Sequence, residues 1–393
     1  MGKRIALLAN GEPYGGGSWQ YASFLLDALY ELKNLYDINI VYLDNYEQWS
    51  EIAKRYGFEH QYLPYRGLYP FYLHKLLDPL KYDLIIDSVQ NETCLYIDTP
   101  VVSIVHDLMH RYEKFPEILS EYKTREEKYR GVAEYAQTIF VDSELGRQQF
   151  IDCYGQECKD RIAVLPFRVP DYLLQSNNNS YSKGNYIFYP AQFWEHKNHE
   201  GLIRAAHKLR KRDGLDVRLL FVGSKKNNYD KITSLIDALD MSDNVEIKGY
   251  VDDDEMTTLY DNARAMMMAS FCGPTNIPPI EAMYRGCPCA VADVYAMPWQ
   301  VGEAGLLFDP RSVESIAVAM KRLWTDDALC MRLSELGRER VKYFSKDLFN
   351  QRFSRAIDDT LAGIRKNGRI QKSFTTNMIN KTRRCFTAHV LRR

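Results

Sequence analysis

The sequence predicts an α/β protein made of two doubly wound, Rossmann-like domains, which we infer face each other across a cleft. Three observations carry that reading. Short β-branched or aromatic runs alternate with helix-length segments along most of the chain. The alternation stops once, at the polar stretch DYLLQSNNNSYSKGN (171–185), and then starts again. The length of 393 residues suits two domains.

In the first half the strand-like runs are RIALLAN (4–10), INIVYLD (38–44), YDLIIDS (82–88), PVVSIVHD (100–107), TIFVDS (138–143) and RIAVLPF (161–167). Between them lie segments such as WQYASFLLDALYEL (19–32), where Tyr21, Leu25, Ala28 and Leu32 recur at helical spacing. After the polar stretch come NYIFYPA (185–191), VRLLFVGS (217–224), NVEIKGYV (244–251), AMMMAS (265–270), CAVADV (289–294) and LLFDP (306–310). Largely apolar runs, rather than strictly alternating ones, indicate parallel strands covered on both faces. The expected domains are 1–170, a linker at 171–185, and 186–345. A helix over 346–364 is expected to pack back on the first domain, followed by a basic tail, 365–393. Open parallel sheets present ligands at the carboxyl ends of their strands, so two facing sheets place a site between them.

Formal net charge is −1, which argues against a nucleic-acid partner. From Arg365 onward there are nine Lys/Arg and no Asp/Glu, leaving −10 on the rest. Such a tail suits either a disordered extension or contact with an anionic membrane face. The eight cysteines show no zinc spacing and read as reduced thiols of a cytoplasmic protein. MGKRIALLAN is too short an apolar run for a signal peptide, and no stretch approaches the roughly 18 apolar residues of a membrane span.

Several strand ends could carry chemistry. GEPYGGGSWQ (11–20) follows the first strand, and Gly15, Gly16 and Gly17 let backbone amides approach an anion at a helix start. Gly17 stands where a nucleotide-triphosphatase loop has its lysine, which excludes that class. His106 ends a strand, where it serves either as a site residue or as a structural hydrogen bonder. Asp142-Ser143-Glu144 reads as a helix cap. In YPAQFWEHKNHEGLI (189–203), Lys197 sits beside a helix start and suits a diphosphate, while His196 and His199 lack an acidic partner for a metal. Asp252, Asp253 and Asp254 open a helix, where acids answer the helix dipole before they suggest a metal. FCGPTNIPPIEAM (271–283) places one carboxylate, Glu281, on an otherwise apolar helix start.

Taken together, the glycine loop, the His-Asp strand end, the Lys-Asn helix start, GYVDDDEMTTLYDNARAMMMASF and PPIEAMYRGCPCAVADVYAMPWQVGEAGLLFDP resemble family 4 of the retaining glycosyltransferases, the glycosyl transferases group 1 of GT-B fold. The resemblance is nearly continuous over 186–324. It implies transfer of a sugar, without cofactor or metal, from a nucleotide-diphosphate donor to a glycan or lipid-linked glycan. Bacterial surface polysaccharide is the implied product, and GDP-mannose is one implied donor. It implies that Gly15 to Gly17 lie against the donor, His106 contacts its sugar, and Lys197 neutralises the leaving diphosphate. Glu281 would hold the ribose, and the turn Thr275, Asn276 and Ile277 would offer backbone amides to phosphate or sugar. Two positions depart from the pattern. Gly273 stands where many members carry the first glutamate of E-x7-E, and Gln192 stands five residues before Lys197, near where many carry an arginine. These departures also admit a catalytically inactive partner protein or a nucleotide-sugar epimerase on the same fold.

Overall fold

The computed structural model describes residues 2–9, 16–42, 47–64, 73–88, 93–175, 184–273, 275–368 and 370. Gly15 and the tail from 371 onward lie outside the described residues. Seven strands form the first sheet: β1 (Arg4–Ala9), β2 (Asp37–Tyr42), β3 (Glu59–Tyr62), β4 (Leu84–Asp87), β5 (Val101–Val105), β6 (Thr138–Val141) and β7 (Ile162–Val164). Their order is β3-β2-β1-β4-β5-β6-β7, every pair parallel. Six strands form the second: β8 (Ile187–Pro190), β9 (Leu219–Val222), β10 (Val245–Gly249), β11 (Ala265–Met268), β12 (Cys289–Ala292) and β13 (Gly305–Phe308). Their order is β10-β9-β8-β11-β12-β13, again all parallel. In both sheets the chain order reverses beside the first strand, which opens a crevice at the strand carboxyl ends.

Central strands such as β4, β5 and β11 are buried at every position, as strands sandwiched between helices must be. β3, EHQY, was not among the expected strands. It is a mostly exposed polar edge strand, held by pairing to β2 rather than by an apolar face. No described helix is long and apolar enough to cross a membrane.

Two crossings connect the halves. The first runs through Arg168 and Val169 into a helical turn, Asp171–Gln175. The first five residues of the expected linker are therefore ordered structure: Leu173 is fully buried, and the Tyr172 hydroxyl is engaged in the second domain. The second crossing follows Phe344, and the two are joined by Val169 N donating to Phe344 O at 2.9 Å. Ser345 caps the helix Lys346–Asn367, which runs back onto the first domain. Its buried Phe349, Phe353, Ile357 and Leu361 form one apolar stripe. Phe349 meets Phe24 of the helix Gly16–Leu32, Phe353 meets Phe140 of β6, and Thr360 hydrogen-bonds Thr138 at 2.7 Å.

Both crossings converge on one charge cluster. Arg168, fully buried, donates to Asp27 and to Asp171 at 2.7 and 3.0 Å, and its guanidinium lies over the Phe24 ring. Lys346 reaches Asp27 at 2.9 Å and Asp171 at 3.3 Å. One arginine, one lysine and two aspartates thus tie the start of each crossing to the first domain's opening helix.

Candidate active site

A cavity of about 930 Å³ lies at the carboxyl ends of β8 and β9 and is walled by both domains. From the first domain come Gly17, Trp19, Gln20 and Phe167, and from the crossing Tyr172. The second domain supplies most of the rest. Of the residues singled out in the sequence, Gly17, Gln192, Lys197, Thr275, Asn276, Ile277 and Glu281 all line this one cavity. Gly16 opens the helix behind Gly17. Gly17 faces the opposite domain closely, since a Cβ there would stand 3.9 Å from Ile277 Cδ1.

Lys197 is placed by its backbone. It ends a short turn, Glu195–Lys197, and the Tyr189 hydroxyl donates to its carbonyl at 2.7 Å. The next residue, Asn198, adopts left-handed φ 57° and caps the helix His199–Asp213 by accepting from Gly201 N at 3.1 Å. Gly201 is required there, because a Cβ would come within 2.7 Å of the Asn198 side chain. Asn198 also donates to Ala269 O and Pro310 O, fixing this corner to two neighbouring loops. The Lys197 ammonium forms no hydrogen bond or ion pair among the described residues. Burial lowers its pKa, with Cys272 and Asp107 opposing the shift. A partly buried cation without an anion is poised to receive one.

Glu281 is 7% exposed, and among the described residues no cation stands beside it. Each oxygen accepts a phenol: Tyr172 at 2.7 Å and Tyr260 at 2.7 Å. Burial raises its pKa, and the two phenols pull it back down. Tyr172 was not a candidate, since nothing in a polar linker marks one tyrosine as a site residue. Gln192 is exposed and accepts from Trp194 Nε1 at 3.0 Å, which gives Trp194 a place on the cavity wall. Asp252 caps its helix by accepting from Glu255 N at 2.8 Å, the dipole role expected of it.

Two of the three turn amides have protein partners. Thr275 N donates to Asp142 at 2.7 Å, and Asn276 N donates to Gln300 Oε1 at 3.0 Å. The segment is buried between domains, where an amide needs a fixed acceptor. Asp142 therefore serves the opposite domain, and Ser143 is the cap, accepting from Gly146 N. Gly273 has φ 142°, a backbone that side chains rarely adopt, and a Cβ would meet Asn276 at 3.2 Å. The missing carboxylate at 273 is thus matched by a backbone that favours glycine.

His106 does not line the large cavity. It borders a smaller pocket with Asp142, Gly273 and Tyr295. Its ring packs on Tyr21 at 4.6 Å and Phe167 at 5.6 Å. The domains meet around this pocket at further points. Glu113 accepts from Tyr295 at 2.5 Å, Phe115 stacks on Phe271, and Glu117 holds His196 Nδ1 at 2.7 Å and Asn227 at 3.0 Å.

Burial pushes the pKa of His106 and His196 down to about 4 and that of His199 down to about 3. Unfolded, each takes up a proton near pH 6.5, so below that pH the unfolded chain binds more protons than the folded one. Stability is therefore lost as pH falls from about 6.5 toward 4, at up to ~1.4 kcal/mol per pH unit for each histidine. Asp142, pushed up to about 7 by burial, has the opposite sign and loses stabilising weight as pH rises toward 7. His110 and the lowered carboxylates Glu117, Asp171 and Glu200 act with the three histidines, while Glu281, Asp27 and Asp253 act with Asp142, and the expected balance is a net loss on acidification. Urea unfolding at pH 6.5 and pH 4.5 checks this, and equal stability at the two would contradict it.

Residues 173–340 match the family model described as glycosyl transferases group 1. The O-antigen chain mannosyltransferase B of Escherichia coli is 28% identical over 160 residues, 41% of this chain and 42% of that protein. The serotype-specific mannosyltransferase WbdA of Escherichia coli is 27% identical over 248 residues, 59% of this chain and 30% of that one. The chain thus aligns with less than half the length of either relative. Among solved structures, HepE of Anabaena in complex with UDP and glucose superposes with TM-score 0.71 at 16% identity, over 91% of this chain and all of that one. The chain as a whole has the two-domain GT-B fold, and the match to the glycosyl transferases group 1 model lies in its second half.

Proposed function

We propose that the chain is a retaining glycosyltransferase that moves a sugar from a nucleotide-diphosphate donor to a hydroxyl of a glycan or lipid-linked glycan in bacterial surface polysaccharide synthesis. The observation that carries this is the cavity of about 930 Å³ between the domains, lined by the unpaired cation of Lys197. The relatives named as mannosyltransferases favour mannose as the sugar, and GDP-mannose is the donor the resemblance implies.

As the bond from sugar to diphosphate breaks, negative charge grows on the leaving phosphate. Lys197, already desolvated and fixed by its turn, stabilises that charge without reorganising. Attack comes from the leaving-group face, and the departing phosphate helps remove the acceptor's proton. No protein nucleophile is needed, and Lys197 takes the charge that a metal would otherwise carry. Glu281, held rigid by Tyr172 and Tyr260, keeps unused lone pairs for ribose hydroxyls. His106 is assigned to the sugar by the resemblance alone, and it borders the smaller pocket with Gly273. The basic tail provides peripheral contact with the inner membrane face, where a lipid-linked acceptor resides.

A thermal-shift panel of UDP-, GDP- and TDP-sugars tests the donor class. A donor at about 100 times its Kd adds about 2.7 kcal/mol of apparent stability. GDP-mannose is expected to give the largest shift. Absence of a shift with every donor, together with no nucleoside diphosphate released, would remove the reading.

A further inference from the structure

Asp142 is a buried acid to which the transferase mechanism assigns no task. It follows β6 in the first domain and is 2% exposed. Among the described residues no cation pairs with it. It accepts from Thr275 N at 2.7 Å, from Thr275 Oγ1 at 2.8 Å and from Ser143 Oγ at 3.2 Å. A buried carboxylate without a counter-ion is costly, and it persists where strong, well-aimed donors hold it. Here the two shortest of those bonds come from the opposite domain.

Thr275 sits at a partition. It lines the large cavity with Lys197, while Gly273, two residues earlier, lines the smaller pocket with His106 and Asp142 itself. Removing the Asp142 carboxylate would leave a buried amide and a buried hydroxyl of this partition without an acceptor, and the segment would shift to satisfy them.

We propose that Asp142 is a positioning residue for sugar transfer: by accepting both Thr275 donors across the cleft, it sets the Thr275–Ile277 segment against the donor, so the donor site is complete only when the domains are closed on each other. The proposal rests on the transferase reading above. Its effect is on geometry, and a misplacement of about 1 Å costs on the order of 100-fold in rate.

The test uses Asp142→Ala, which removes the acceptor, and Thr275→Val, which removes the hydroxyl donor and keeps the amide, in the full chain. Asp142→Ala is expected to lower kcat by roughly 10- to 100-fold, more than it raises the donor's KM, and Thr275→Val to lower it by less. The double variant is expected to be no slower than Asp142→Ala, because that variant already leaves the Thr275 hydroxyl without its acceptor. A purely structural role would lower the melting temperature and leave kcat of the folded protein intact, and that result overturns the proposal. So do additive losses in the double variant. Where Asp142→Ala does not fold, Thr275→Val carries the test alone, and an undiminished kcat overturns it. Should the unaltered protein turn over no donor at all, the transferase reading is what fails. The contact is then read separately by hydrogen exchange at the Thr275 amide, which Asp142→Ala should accelerate; unchanged protection there overturns the clasp itself.

Discussion

Lys197→Ala is expected to lower donor turnover by about 10²–10³-fold, the loss that follows removal of one preorganised charge-stabilising group, or roughly 2.7–4 kcal/mol of barrier. The fall should appear in kcat more than in KM, since the charge it meets is largest in the transition state. Folding should not suffer. The ammonium has no ion pair among the described residues, and its burial is unfavourable to its charged form. Its corner is held by the Lys197 carbonyl and by Asn198, and both remain in the variant. Single-turnover release of nucleoside diphosphate, with melting temperature as a control, measures both. A variant that melts normally and turns over donor at the original rate would exclude Lys197 from the chemistry.

Arg168→Ala carries the largest expected cost in stability, about 3–5 kcal/mol, the usual penalty for removing one partner of a buried ion pair. The guanidinium is fully buried and joins Asp27 to Asp171, so its loss leaves two carboxylates with Lys346 as their one cation among the described residues, beside the Tyr56 hydroxyl on Asp27. Asp171 is now pushed down to about 2, with Arg168 the largest of the groups that lower it. Asp27 is raised, chiefly by burial, and neutralises more readily once the arginine is gone. Urea unfolding at neutral pH reads the loss. A change below about 1 kcal/mol would show that the cluster behaves as an exposed pair does. Because both crossings meet at this charge cluster, the variant should also loosen the domains before it unfolds either one.

The sequence shows much of this molecule, for physical reasons that differ by element. Central strands such as LIID and AMMM are visible because burial on both faces demands continuous apolar residues. β3 is invisible for the converse reason: EHQY owes its form to pairing with β2, and pairing leaves no mark on composition. Lys197 is legible because its place follows local rules, a short turn and an asparagine cap. Asp142 is not, because Asp-Ser-Glu before a helix looks like a cap, and the serine alone fills that role. Its true partner, Thr275, lies 133 residues away. Tyr172 is missed in the same way. A hydroxyl bound 109 residues off, in a stretch rich in asparagine, has no local signature. The amides of Thr275 and Asn276 illustrate a third case, since only the fold shows which acceptors a buried loop already has.

The helix Lys346–Asn367 gives the molecule an unusual order of assembly. Its apolar stripe covers Phe24 and Phe140, whose own strand and helix leave the ribosome long before it does. At about 5–20 residues per second, the amino-terminal half waits roughly 10–40 s for its last covering element. During that interval the second domain, contiguous in sequence, is made and able to close on its own. The half that is synthesised first is therefore the half that matures last. A nascent chain stalled or cleaved near residue 340, at the edge of the family match, would display the bare aromatic face to chaperones and proteases.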